Sequence, residues 1–153
     1  NQGTGNQSPG QPANSETSET ELLYGLLVEK RKGSEDYSSL AGLRYTKGSE
    51  EGHRLKHLQR HLEDQPSRPG KHGVFYGDLP QVLRWLDDAY KRGNAGAKGA
   101  KKRQDNGMTI YEVSFDKPVG YVGGRDGGRD GNPDAKKIRM VVDGDRLITA
   151  FPF

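Results

Sequence analysis

The chain has no cysteine among its 153 residues, which removes disulfides, thiolate metal sites and cysteine nucleophiles together. It is also poor in apolar residues: 30% are hydrophobic and the mean hydropathy is −0.98, low for a chain folded throughout. No stretch is long and apolar enough to cross a membrane. The opening lacks the basic start and apolar run of a signal peptide. Neither charge sign dominates, since 24 Lys and Arg face 21 Asp and Glu; a polyanionic partner is permitted but not required. Any chemistry must therefore use His, carboxylate, hydroxyl, Lys or Arg.

Apolar residues begin late. "NQGTGNQSPGQPANSETSET" holds no aliphatic residue larger than alanine, so residues 1–18 are expected to be a disordered linker. A chain that starts inside linker-like sequence without an initiator Met reads as the C-terminal part of a longer polypeptide. Residues 19–45 are expected to be a helical extension. There "SETELLYGLLVEKRKG" offers Ser18 and Glu21 as a capping box, with Leu22, Leu23, Leu26 and Leu27 at helical spacing over 19–32.

The main domain is placed at 46–153. It opens with a helix capped by Ser49, with Glu50 and Glu51 in its first turn, which must stop near Asp64 because "DQPSRPGKHG" follows. "GVFY" is a short strand. "DLPQVLRWLDDAYKRG" is a helix capped by Asp78, with Pro80 in its first turn and Gly93 closing it. "GNAGAKGAKKRQDNG" reads as a basic loop. "MTIYEVSF", "PVGYVG", "KIRMVV" and "RLITAF" read as strands, the last two joined by "DGD" as a hairpin, with "GGRDGGRDGNPD" a polar loop. The predicted class is α+β, with N-terminal helices packed on a small antiparallel sheet.

Three of the four histidines lie in "HRLKHLQRH", spaced four and four apart. On a helix His53, His57 and His61 share one face and Leu55, Leu58 and Leu62 the opposite one. Three readings fit. A metal site is one, since His pairs at i and i+4 can share zinc, but Leu58 stands where H-E-x-x-H needs Glu, and Lys56 and Arg60 oppose a cation. A solvated, His-rich helix face is the second. The third is acid–base catalysis beside an anion, with Arg54, Lys56 and Arg60 supplying positive potential. His72, behind the proline-stiffened "PSRPGK", can fold back toward His57. Two facing histidines are what metal-independent RNA cleavage needs, one taking the 2′-OH proton and the other protonating the 5′-oxygen that leaves.

The last strand adds polar and aromatic candidates. In "RLITAFPF" alternation puts Leu147, Thr149 and Phe151 on one face; Thr149 can donate to phosphate and Phe151 can stack on a base. A β-propensity Thr and a core Phe explain the same residues. Arg139 falls beside Thr149 if the hairpin loop has three residues, and on the opposite face if it has two. "AKGAKKR", with Lys101, suits phosphate contact or an ordinary solvated loop. No P-loop is present, and Asp126, Asp130 and Asp134 lack the closing Glu of a calcium loop.

"HRLKHLQRHLEDQPSRPGKHGVF", with the "VLRWLDDAY" helix and the endings "KIRMVV" and "LITAFP", resembles the C-terminal nuclease modules of bacterial polymorphic toxins in the barnase–EndoU–colicin–RelE group. It does so over about residues 43–153. His57 and His72, fifteen positions apart, are similar to the two-histidine element of EndoU-type endoribonucleases. The resemblance implies an EndoU/barnase-like α+β domain that cuts RNA without a metal or cofactor and leaves a 2′,3′-cyclic phosphate. It also implies secretion as the tip of a larger protein, action in the target-cell cytoplasm, and a cognate immunity protein. It assigns His57 and His72 as the catalytic pair, Arg54 and His61 as supporting polar positions and Thr149 as the Ser/Thr of the last strand. This sequence departs from the pattern at Phe151, where Tyr is common, and has no clear counterpart of the EndoU lysine, for which Lys98, Lys101 or Lys102 stand nearest. The alternatives are a non-catalytic RNA- or protein-binding module and a His-ligated metal hydrolase. For residues 19–45, packing on the nuclease domain, docking to delivery machinery and binding the immunity protein all remain open.

Overall fold

The computed structural model describes residues 22–48 and 52–153. The expected linker, the Ser18–Glu21 capping pair and the Ser49, Glu50 and Glu51 start of the second helix lie outside the described residues.

The molecule is α+β, as expected, but sheet dominates and its N-terminal part is not helical. Residues 22–45 form four short strands, β1 (Leu22–Leu23), β2 (Leu27–Glu29), β3 (Tyr37–Ser39) and β4 (Arg44–Tyr45). The helix expected over 19–32 fails at Tyr24 and Gly25, which both take positive φ, 59° and 69°. That conformation turns the chain back as a hairpin, pairing Leu23 with Leu27. Leu27 is fully buried while Val28 is exposed, a period of two rather than 3.6. β4 pairs in parallel with the last strand, and Leu27, Leu43 and Tyr45 join the common core.

Helix α1 (Arg54–Arg60) is shorter than the sequence suggested. Its N-cap is His53, whose Nδ1 accepts from the Leu55 amide at 3.1 Å. His53 Nε2 lies 2.6 Å from the Glu35 carbonyl oxygen and donates to it, fixing the tautomer. Leu55 and Leu58 bury the helix's apolar side. Strand β5 (His72–Phe75) follows. Helix α2 (Leu79–Ala95) is capped by Asp78, which accepts from the Gln81 amide at 3.1 Å, and ends at Gly96 with φ 66° rather than at Gly93. Gly93 instead lets the helix approach the sheet, since a Cβ there would strike the Tyr111 ring.

The segment expected to be a basic loop is instead an edge strand, β6 (Ala100–Asp105), joined to β7 (Met108–Ser114) by Asn106 and Gly107, both at positive φ. β8 (Gly120–Gly123) leads into α3 (Gly124–Arg129), so part of the expected GGRD loop is helical, and β9 (Asp134–Ala135) follows. β10 (Lys137–Asp143) and β11 (Arg146–Pro152) complete the chain. The large sheet runs β1-β2-β3-β4-β11-β10-β7-β6, and a small one runs β5-β8-β9.

One face of the large sheet packs on α2. Tyr111, Val113, Ile138, Met140, Val142, Leu147 and Ala150 meet Val82, Leu83, Leu86 and Ala89 there in one continuous core. Burial of this apolar area supplies most of the stabilisation, roughly 1.5–3 kcal/mol for each large side chain. The opposite face is the more open one; α1 and β5 meet the sheet at β11, and their Leu55, Leu58 and Phe75 join the same core as α2.

Candidate active site

The β10–β11 hairpin decides what that open face presents. Asp143 pairs with Arg146, so the loop has two residues, and a β-bulge follows: Val142 pairs with Leu147 but Val141 pairs with Thr149. Ile148 is the inserted residue. The bulge reverses the alternation, so Leu147 is buried in the core instead of sharing a face with Thr149 as simple alternation predicts. It also brings Arg139 and Thr149 onto one face despite the two-residue loop. Arg54 pins the insertion, its Nη1 donating to the Ile148 carbonyl at 3.1 Å.

Thr149 is thereby aimed at α1, where His57 Nε2 lies 3.0 Å from Thr149 Oγ1. One turn on, His61 touches His57 edge-on with ring centroids 5.2 Å apart and stacks on Phe151 at 6.2 Å. Its Nδ1 donates to the Gly73 carbonyl at 3.2 Å, which fixes the ring between α1 and β5. His57, His61, His72, Thr149 and Phe151 all line one cavity of about 610 Å³, together with Arg60, Arg68, Glu63 and Gln65. Histidines fifteen residues apart in the chain thus meet the last strand at one cleft, with two arginines on its rim.

His72 is held from behind by glycines. Gly124 has φ 78°, and a Cβ there would lie 2.5 Å from His72 Cδ2 and 2.6 Å from the Gly70 carbonyl. Its amide donates to Asp64 Oδ1 at 2.8 Å, and a Cβ on Gly123 would collide with that same carboxylate. The first Gly-Gly of the GGRD repeat is therefore required by close approach of Asp64 and His72. The His72 Nε2 is buried with no hydrogen-bond partner among the described residues. An orphaned buried nitrogen costs about 1–3 kcal/mol. Burial, reinforced by the Asp64 carboxylate, pushes the Tyr121 hydroxyl above its ordinary value, so that phenol stays neutral.

The other sequence candidates sit elsewhere. His53 is a helix cap. Arg54 supports the bulge. Arg139 lies outside the cavity lining, paired with Glu112 and packed over the Phe153 ring at 5.3 Å. Lys101 is on the exposed edge strand, opposite Glu112. Among the described residues no group of three or more His, Asp or Glu side chains is arranged to hold a metal ion. Nor is any helix there long and apolar enough to cross a membrane.

Sequence reasoning passed over Arg68, Asp64 and the Gly123–Gly124 pair. Arg68 had a signal, a cation fixed between two prolines next to a histidine. Asp64 had none, because its partner is a backbone amide sixty residues away. Comparison with protein-family models, with curated proteins and with solved structures found no match for this chain.

Proposed function

We propose that the protein is a metal-independent endoribonuclease in which His57 and His72 exchange protons with RNA across the cavity. The observation that carries this reading is the convergence of His57, Thr149 and His72 on one cleft edged by Arg60 and Arg68. One histidine takes the proton of a 2′-OH, the freed oxygen attacks the adjacent phosphorus, and the P–O5′ bond breaks as the other histidine protonates the departing oxygen. The products are a 2′,3′-cyclic phosphate and a 5′-hydroxyl. Charge growing on the phosphoryl oxygens is met by the Thr149 hydroxyl and the rim arginines, in a cleft where such donors need no reorganisation. His61, edge-on to His57 and stacked on Phe151, supports the position of His57. Phe151 offers an aromatic face to a base.

The resemblance to toxin nuclease modules extends the proposal. The chain would then act as the C-terminal part of a larger secreted polypeptide, in the cytoplasm of a target cell, and be neutralised by a cognate immunity protein. A binding module or a His-ligated hydrolase would use the same surface differently. Incubation with total cellular RNA in excess EDTA separates the readings. Fragments ending in cyclic phosphate, absent with His57→Ala and with His72→Ala, are expected. RNA left intact in EDTA and after addition of zinc or magnesium would sink the nuclease reading.

A further inference from the structure

The open face of the large sheet carries a row of directly paired side chains. Phe151 opposes Arg139, Arg139 opposes Glu112, and Glu112 opposes Lys101, across β11, β10, β7 and β6. Beside this row stand Phe153, whose amide donates to the Lys137 carbonyl, and Lys137, whose ammonium lies 4.5 Å from the Phe153 ring centroid. Two further cavities follow the row. One of about 380 Å³ shares His61, His72 and Phe151 with the catalytic cleft and is walled by Pro152 and Phe153, with Lys71 at its edge. The next, of about 310 Å³, shares Phe153 and reaches Lys137 and Lys101.

We propose that these two cavities form a track for the nucleotides beyond the cleaved bond, with single-stranded RNA running from the catalytic cleft across Phe153 to Lys137 and Lys101. The inference rests on the nuclease reading and names how that site grips its substrate. The chemistry of the track is alternately aromatic and cationic, which is what a strand of stacked bases on a phosphate backbone matches. Its carboxylates are answered internally: Glu112 is held by Arg139, and Asp130 by Lys71 at 3.2 Å. Phe153 is the pivot, because it lines both cavities and its ring sits under two cations. Close approach shapes the wall as well, since a Cβ on Gly73 would collide with the Pro152 carbonyl and push β5 off β11.

The test compares cleavage of a ribodinucleotide, which reaches only the cleft, with cleavage of an oligoribonucleotide long enough to cross the track. The parent is expected to prefer the longer substrate. Phe153→Ala should erase about 5- to 150-fold of kcat/KM on the long substrate, the range set by loss of one stacked base, while dinucleotide cleavage is kept. In a His57→Ala background, which binds without cutting, Lys137→Ala should reduce the slope of log affinity against log salt by about 0.7. Equal parental efficiency on both substrates, or an equal drop on both with Phe153→Ala, would overturn the track and leave the nuclease reading standing. A parent that cuts neither substrate would remove both.

Discussion

A single methyl group at Gly124 should separate packing from chemistry in the GGRD repeat. Gly124 has φ 78°, a conformation that costs an L-residue roughly 1–2 kcal/mol. The added Cβ of Gly124→Ala would also meet His72 Cδ2 at 2.5 Å and the Gly70 carbonyl at 2.6 Å. That carbonyl cannot retreat cheaply, because it accepts from the Asp126 amide at 3.1 Å. Overpacking of this kind costs about 1–3 kcal/mol. The two effects sum to about 2–5 kcal/mol, a loss that leaves a domain in the middle of the ordinary range of about 5–15 kcal/mol folded at 25 °C. The variant should therefore fold, with His72 pushed from its position, and a misplacement near 1 Å costs about 10²-fold in rate. Four residues on, Gly128 has open space around it and ordinary φ, so Gly128→Ala should be neutral or gain up to about 1 kcal/mol from helix propensity. Urea unfolding followed by initial rates of cyclic-phosphate formation measures both quantities. Equal stabilities for the two variants would refute the packing account. A destabilised Gly124→Ala with the parental kcat would show that this contact does not hold His72 for the reaction.

Other outcomes follow from the same geometry. Thr149→Val keeps the shape and deletes the hydroxyl, so kcat/KM should fall by about 10²-fold while Thr149→Ser stays near the parent; equal losses in both would mean that the methyl group, not the oxygen, matters. An RNA analogue whose 5′-bridging oxygen is replaced by sulfur needs no acid at its leaving group, so one of His57→Ala and His72→Ala should recover most of its rate on it. Recovery of both or of neither would contradict a division of labour between base and acid. The hydrogen bond from Arg44, at 2.9 Å, holds the Asp36 carboxyl below its ordinary value. A depressed folded-state value stabilises above the unfolded value of 3.8 and is lost as pH falls through the lower folded one. Asp36→Asn should accordingly cost up to about 1 kcal/mol at pH 7, and its stability should converge on the parent's below pH 4; a constant difference down to pH 2 would remove the ion pair as the cause.

Where local signals agreed with tertiary demand, the fold was legible. Asp78, Pro80 and the stripe Val82, Leu83, Leu86 mark α2 because a capped amphipathic helix on a sheet needs no distant information. β6 was missed for the opposite reason. Five of its six residues are exposed, so it has no apolar alternation, and its cations suit an unpaired sheet edge. Its one local signal was Asn106-Gly107, a two-residue hairpin turn. Residues 22–29 were misread because four leucines fit a helical stripe on paper. Tyr24 and Gly25 turn the chain instead, and the fully buried Leu27 belongs to a strand.

The site divides along the same line. His57 and His61 were readable as one helix face, and His72 as a ring behind stiff prolines. The position of Thr149 was not readable, because it depends on two features that each reverse the face of a strand residue. A two-residue turn alone would set Arg139 and Thr149 on opposite sides, and the inserted Ile148 restores them to one. That insertion is stabilised from outside the hairpin, by Arg54 at the start of α1. The same helix therefore both carries His57 and fixes the strand distortion that presents Thr149 to it. Arg54 acts on the chemistry through backbone geometry, so its loss should loosen the His57–Thr149 distance before it changes any charge in the cleft. Arg54→Lys, which keeps the charge but not the planar donor, should then lower kcat with little effect on KM, whereas a phosphate-binding arginine would show the reverse.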